Sequence, residues 1–511
     1  MGTMRRVGES FALSGRIRGK ALGKDVGALR LELEPEAPPV AFALLDQFDC
    51  PLGKSHRALI EAEGKLILLA AQAGGREQPA ARSGHFIADL QPGPVGEALS
   101  DLSPLRSLLA LGQGRMVVRR ATLLDEEEKT QARAWLRRLE PDGPGAVVTL
   151  VELQYLRGYD LAFDQLRRRL RGAAPHIELE ALAESLFPGT PAYEAKPQVP
   201  LAPGEPAARA AAALIGAHIA VARQNEGGVI ADIDTEFLHD YRVSLRKVRS
   251  VLSLFRGVYD AALTDELKRA FSDLMAPTGR LRDLDVYLLE RDLYFDLLPA
   301  TLHSGLSAMF DLFARERAAE QAKLARRFGE QAYADQIGRL QRVFAEPDAL
   351  AKGPMADYPV LGYARKLIWA RYHKVCKLAA EITDKTPDNE VHALRIGCKK
   401  LRYLMEFFAP LFPASQMAPL IKPLKRLQDG LGLFNDYAVQ QQSLRALLAT
   451  PGADLRDDAE AIARSVDALI AILHQRQLEQ RARLTDSFAG FDNAELRARF
   501  AAQFHDGGET A

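Results

Sequence analysis

The chain repeats itself. Residues 238–255, LHDYRVSLRKVRSVLSLF, align with residues 391–408, VHALRIGCKKLRYLMEFF, at a constant offset of 153. The alignment pairs His239 with His392, Arg242 with Arg395, Arg246 with Lys399, Lys247 with Lys400, Arg249 with Arg402 and Phe255 with Phe408. The same offset then matches Gly279 with Gly432, Leu281 with Phe434, Asp283 with Asp436 and Val286 with Val439, with no gap. A chance match does not hold register over so long a stretch, so the second half must contain two structurally equivalent units. We expect two four-helix bundles packed about a pseudo-two-fold axis.

The residues around the repeat support a helical reading. From Ala207 onward, stretches rich in Ala, Leu, Arg and Glu alternate with breakers such as Gly227-Gly228, Pro277, Pro299, Pro354, Pro387, Pro413 and Pro451-Gly452. These divide the region into helices predicted near 207–224, 236–257, 263–291, 302–346, 357–382, 388–409, 414–446 and 456–490, with 491–511 as a C-terminal tail. The first part of the chain reads differently. Glu9 to Ile17, Val40 to Leu45, Leu66 to Ala71, Arg115 to Leu124 and Ala146 to Tyr155 are short and rich in β-branched or alternating apolar residues, as strands are. Glu126 to Leu139 and Tyr159 to Arg171 read as helices, so residues 1–185 are expected to form an α+β domain. Between the two regions, residues 186–206 carry six prolines and are expected to be a linker.

Helical geometry shows what the repeats present. At about 100° per residue with His239 at zero, Arg242, Arg246 and Arg249 fall near 300°, 340° and 280°, while Leu245, Val248, Leu252 and Phe255 fall near 240°, 180°, 220° and 160°. One face is cationic and the other apolar. The second copy behaves alike, with His392, Arg395, Lys399 and Arg402 opposite Leu401, Met405 and Phe408. A basic helix face is ordinarily solvated and stabilised by acidic partners at i,i+4. Here such partners are scarce: residues 239–256 hold five cations against Asp240, a net of +4, and 392–406 hold four against Glu406, a net of +3. Like charges at this spacing repel by roughly 0.2–0.5 kcal/mol per pair, and finding the cost in both halves favours an anionic ligand. Each histidine can donate hydrogen bonds to an oxyanion without doing chemistry. The paired Asp283 and Asp436 can hold basic side chains in place or bind a cation.

Charge balance limits the alternatives. With 67 Lys+Arg against 67 Asp+Glu in 511 residues, the net charge is zero, so any polyanion site must be local rather than a general coating. Cys50, Cys376 and Cys398 form no CxxC pair, which offers neither a disulfide framework nor a thiolate cage and suits a reducing cytoplasm. No secretory signal or membrane helix is expected.

The twice-occurring pattern His-x-x-Arg-x-x-x-Arg/Lys-Lys-x-Arg, with Asp283-Leu-Asp285 and Asn435-Asp436 downstream, resembles the CHAD (conserved histidine α-helical domain) family over residues 207–490. That resemblance implies two four-helix bundles whose basic residues line a shared groove for inorganic polyphosphate. It further implies phosphate contacts from His239, Arg242, Arg246, Lys247, Arg249 and Arg282 in the first half, and from His392, Arg395, Lys399, Lys400, Arg402 and Lys425 in the second. Lys247 and Lys400 sit about 80° from the histidines and are the least aligned of the set. No cofactor or metal is expected there, and the protein is expected to be cytoplasmic and associated with polyphosphate granules.

Val151-Glu-Leu-Gln-Tyr-Leu-Arg-Gly158 and the following helix, with Arg115 to Leu124 and Trp135, resemble a diverged CYTH domain, the triphosphate-tunnel fold. The family's first-strand Glu-x-Glu-x-Lys is reduced to Glu9-Ser-Phe-Ala-Leu13, and Lys65 to Leu69 lacks Arg-x-Arg. Triphosphate hydrolysis needs carboxylates for Mg²⁺ or Mn²⁺ and several phosphate-gripping cations. We therefore expect the fold without the reaction and the protein not to be an enzyme. The contrary reading, a metal-dependent triphosphatase, would have to use Glu9, Glu152 and Arg119/Arg120. Nucleic-acid binding is a further alternative, disfavoured because Tyr403 is the only aromatic residue near the stripe placed to stack on a base.

Overall fold

Alternating apolar residues in the first region pair into one extensive antiparallel sheet. In this computed structural model, which describes residues 8–190, 192–383, 386–449, 459–489, 491 and 493–505, the chain divides into two compact units, Met1–Ala195 and Lys196–Ala511. The boundary falls within the proline-rich stretch.

The N-terminal unit contains strands β1 (Glu9–Ser14), β2 (Asp25–Val26), β3 (Leu29–Leu33), β4 (Val40–Asp46), β5 (Arg57–Ala62), β6 (Lys65–Ala70), β7 (Ala73–Pro79), β8 (Leu109–Leu124), β9 (Thr130–Pro141), β10 (Val148–Gln154) and β11 (His176–Ile177). They run β11-β1-β10-β9-β8-β4-β5-β6-β7, with β3 paired to β8 and β2 to β3. Its helices are short: α1 (Gly19–Leu22), α2 (Pro51–Lys54), α3 (Pro94–Ala98), α4 (Asp160–Arg171) and α5 (Leu182–Leu186). Helix α4 buries Phe163, Leu166 and Leu170 against Phe11, Leu13, Leu136 and Val151 on one sheet face. The opposite face packs Phe42, Ile60, Met116, Leu139 and Leu150. The sheet curls until β7 meets β1 and β10: Gly75 N donates to Glu152 Oε1 at 3.0 Å, and a Cβ on Gly8 would come within 2.8 Å of Gly74 Cα.

Residues 126–139, expected as a helix, instead form most of β9. Their helix-forming composition yields to pairing on both sides, with β8 and β10, and alternation buries Ala132, Ala134 and Leu136 on the α4 side.

The C-terminal unit is helical. It contains α6 (Ala207–Ile230), α7 (Thr235–Leu254), α8 (Ala261–Met275), α9 (Gly279–Leu289), α10 (Arg291–Leu297), α11 (His303–Gly329), α12 (Gln331–Ala345), α13 (Val360–Ala380), α14 (Asp388–Phe407), α15 (Ala414–Ala449), α16 (Ala459–Ala489) and α17 (Ala494–Phe504). The predicted 263–291 helix breaks into α8, a 3-10 turn at Pro277 and α9. Its repeat equivalent α15 runs through, because Gly430 stands where the first copy has Pro277. The predicted 302–346 helix breaks at Glu330, whose backbone is extended. The segment after 490 is more than a tail: Leu496, Phe500 and Phe504, spaced four apart, are buried on α17, and Phe500 stacks on Tyr372 at 3.9 Å. The Pro451-Gly452 break lies outside the described residues.

Repeat-paired residues meet one another. Phe255 and Phe408 stack with centroids 4.8 Å apart and planes 16° from parallel, and Tyr287 Oη donates to the carbonyl oxygen of its counterpart Gln440 at 3.5 Å. Contact between equivalent positions is the signature of a pseudo-two-fold axis. Because Phe408 is fully buried, Phe408→Ala should destabilise the helical unit by about 3–5 kcal/mol, read as a lowered denaturant midpoint.

Candidate functional site

Two amphipathic helices, α7 and α14, set the site. Asp234 caps α7, its carboxylate accepting from Glu236 N at 3.0 Å. Phe237, Tyr241, Leu245, Val248 and Leu252 then anchor one face of α7, as Val391, Leu394, Leu401 and Met405 do on α14. Both basic stripes are consequently turned away from the cores.

The stripes converge. Burial first, and then the neighbouring guanidiniums of Arg246, Arg395 and Arg402, push the Lys399 ammonium down to about 8, with Asp436 opposing them. Arg246 belongs to the first repeat and Lys399 is its counterpart in the second, so the two halves bring their central cations together near the pseudo-axis. A lysine lowered in this way works against folding while it is charged. Between about pH 8 and its ordinary value the unfolded chain binds more protons, so stability rises with pH across that window.

On the first-half side, Arg242 Nη1 donates to Thr278 Oγ1 at the α8–α9 break. Burial, Arg246 and Arg282 lower Arg242, with Asp283 opposing. Arg246 Nε and Arg282 Nη1 are buried without a hydrogen-bond partner. Arg249 is exposed beside Met275, and His239 is partly exposed. On the second-half side, His392 Nδ1 lies 2.5 Å from Asn435 Oδ1, and Arg395 lies 3.6 Å from Asp436. Arg402 reaches Glu406 at 3.5 Å. Lys425 is exposed on α15, one turn before Gln428, whose Nε2 donates to Cys398 O at 2.6 Å. Asp283 and Asp436 thus stand among basic side chains, the positioning role of the two open to them.

Two candidates leave the track. Lys247 pairs with Glu406 at 2.7 Å and lies over the rings of Tyr403 and Phe407 at 5.5 and 5.6 Å. Lys400 turns toward Arg371, Lys374 and Arg256. Tyr403, the aromatic residue that could have stacked on a base, is only 5% exposed and lies within cation–π range of Lys247, Lys399 and Arg402. Sequence reasoning missed Thr278, Glu406 and the role of Tyr403 as floor. Of these, Glu406 carried a signal, as the single acid beside the second stripe.

The CHAD domain family model matches residues 213–445. The helical unit carries a CHAD domain. Among solved structures, the CHAD domain from the plant Ricinus communis aligns at 25% identity and a TM-score of 0.44, covering 61% of this chain and 95% of that one. PptA from Streptomyces chartreusis aligns at 15% identity and a TM-score of 0.42, covering 55% of this chain and 99% of that one. No curated protein matches the chain. The CHAD assignment rests on the family model. Among the described residues, no helix is long and apolar enough to cross a membrane.

The N-terminal residues named for metal-dependent hydrolysis do not come together. In the β1–β10 register Glu9 lies opposite Leu153 and Ser10 opposite Glu152, so Glu9 and Glu152 project from opposite faces of the sheet. Glu9 pairs with Arg171 at 2.6 Å and Arg167 at 3.5 Å on the α4 side. Glu152 pairs with the buried Arg137 at 2.5 Å in a cavity of about 590 Å³ that Trp135 and Tyr155 also line. Arg119 Nε donates to Glu34 O at 2.7 Å, and Arg120 pairs with the Glu34 carboxylate. These residues do not fit a shared divalent cation.

Proposed function

We propose that the CHAD domain binds inorganic polyphosphate along the track formed by Arg242, Arg246, Arg282, Arg395, Lys399 and Arg402, and that the protein binds this polymer without hydrolysing it. The observation that carries the reading is the convergence of cations from opposite halves, Lys247 with Lys399 and Arg402, around the Tyr403 ring, where burial and then Arg246, Arg395 and Arg402 push Lys399 down. Like charges brought together at the cost of their own solvation are relieved by a polyanion lying between them. A linear chain with about one charge per phosphate follows such a track and releases counterions as it binds. The unpartnered Arg246 Nε and Arg282 Nη1 supply donors for its oxygens. A cytoplasmic location at polyphosphate granules follows from this reading.

The N-terminal unit, read as a diverged CYTH domain, keeps a curled sheet while its candidate acids are separated onto two faces. Release of phosphate from tripolyphosphate with Mg²⁺ or Mn²⁺ would contradict the non-hydrolytic part of the proposal. A nucleic-acid ligand is disfavoured because the Tyr403 ring is covered.

Protonation provides the test. In the free protein Lys399 loses its proton well below its ordinary value, at about 8, and a bound polyanion restores it toward that value. Long-chain binding near pH 8 should therefore take up protons, and affinity should fall as pH rises from 7 to 9. Calorimetry in buffers of different ionisation enthalpy measures the uptake. Lys399→Arg, which keeps the charge but does not titrate, should abolish both effects. Uptake that persists unchanged in this variant would place the titrating group elsewhere.

A further inference from the structure

Repeat symmetry equates Lys247 with Lys400, and the structure treats the two residues in opposite ways. Around Lys247 a carboxylate answers the charge. Its ammonium pairs with Glu406 at 2.7 Å, and burial and Lys247 hold the neighbouring His218 imidazole down to about 4, so it is neutral at pH 7. At the equivalent positions around Lys400, Glu406 is replaced by Ser253, His218 by Arg371, Val221 by Lys374 and Ala409 by Arg256. One carboxylate has gone and three cations have been added.

Packing brings these residues to one place. Helices α13 and α14 form a hairpin that touches at Gly397, where a Cβ would meet Val375 Cγ2 at 3.4 Å. One turn further along the seam, Lys400 of α14 comes level with Arg371 and Lys374 of α13. Phe255 stacks on Phe408, and Tyr363 Oη of α13 donates to Arg256 O at 2.8 Å, which brings Arg256 to the same end of the hairpin. Arg371 and Lys400 are partly buried, whereas Lys374, Arg256 and Ser253 are exposed, so solvent reaches the niche. Among the described residues none of the four cations has an ion-pair partner. Burial and mutual repulsion lower both Arg371 and Lys400.

We propose that Arg256, Arg371, Lys374 and Lys400 form a second anion site, separate from the central track, for a small multiply charged phosphate of the pyrophosphate class. Two guanidinium forks and two ammonium groups suit phosphate oxygens, which accept bidentate bonds from arginine and point-charge contacts from lysine. Lys400 lies about 100° around α14 from Lys399, so one compact ligand does not span both places. The site does not depend on what occupies the track.

Pyrophosphate titration by calorimetry at low salt tests the proposal, using the full chain carrying Arg242→Ala, Arg246→Ala, Arg395→Ala and Lys399→Ala so that the track is disabled. That protein should still bind one pyrophosphate. Adding Ser253→Glu, which gives Lys400 the partner that Glu406 gives Lys247, should weaken binding at least tenfold, and Ser253→Gln should change it less than twofold. Ser253 is exposed, so neither change threatens the fold. Absence of pyrophosphate binding in the track-disabled protein, binding that survives Ser253→Glu, or equal loss with Ser253→Gln would each overturn the second site. Long-chain binding in the otherwise unaltered protein with Ser253→Glu reports on the track alone, so the two proposals fail separately.

Discussion

Changing Arg242, Arg246, Arg395 and Lys399 together to alanine should lower the affinity for long-chain polyphosphate at least a hundredfold and leave the helical unit no less stable. A hundredfold loss is about 2.7 kcal/mol, modest for four charge-assisted contacts to one polymer. Counterion release adds a second readout: on the single-strand scale of about 0.7 per contact, the log–log salt slope should become shallower by roughly 3. The stability half of the expectation is the less usual, since most substitutions destabilise. Here all four side chains project from the faces opposite the cores, and charged Lys399 opposes folding at neutral pH. Thermal unfolding of the free variant should show a midpoint equal to or above that of the parent. A fall of more than about 2 °C, on the order of 1 kcal/mol for a unit of this size, would make the stripe structural and the affinity loss indirect.

Chain length should separate the centre of the track from its ends. Arg246 and Lys399 flank the pseudo-axis, whereas Arg242, held by Thr278, and Arg395, beside Asp436, lie further out on their own helices. Tripolyphosphate seated at the centre is too short to engage Arg242 and Arg395 together. Arg242→Ala with Arg395→Ala should then weaken tripolyphosphate by at most about twofold, roughly 0.4 kcal/mol. The same pair of changes should weaken long chains tenfold or more, because only a long chain gains from engaging the ends once its middle is bound. Arg246→Ala with Lys399→Ala should weaken both ligands at least tenfold. Competition binding with size-fractionated polyphosphate measures these ratios, and identical losses in the two double variants would mean that the halves do not form one track.

What was legible in the sequence, and what was not, follows from the range of the forces involved. The basic stripes could be read because a helix fixes the angle between residues three and four apart whatever surrounds it. The repeat-paired contacts of Phe255 with Phe408 and of Tyr287 with Gln440 then give the symmetry that the constant offset implied. Segment 126–139 was misread because its Glu, Lys, Ala, Arg and Leu favour a helix locally, whereas the outcome was decided by two distant strands that needed a partner between them. Lys247 and Lys400 show the same limit at the site. Their own helices place them equivalently, yet Glu406 arrives from the other half to neutralise one and Arg371 arrives from α13 to repel the other. Tyr403 was expected at the surface, and it is the cations beyond it that cover it. The buried face of α17 is different in kind, because the four-residue spacing of Leu496, Phe500 and Phe504 was present in the sequence read as a tail.

The most direct test of the central claim is calorimetric titration of the intact protein with long-chain polyphosphate at several salt concentrations. The track predicts saturable binding whose affinity falls linearly with salt on logarithmic axes, steeply enough to reflect several phosphate contacts. No detectable binding at low salt, or binding that salt does not weaken, would contradict it.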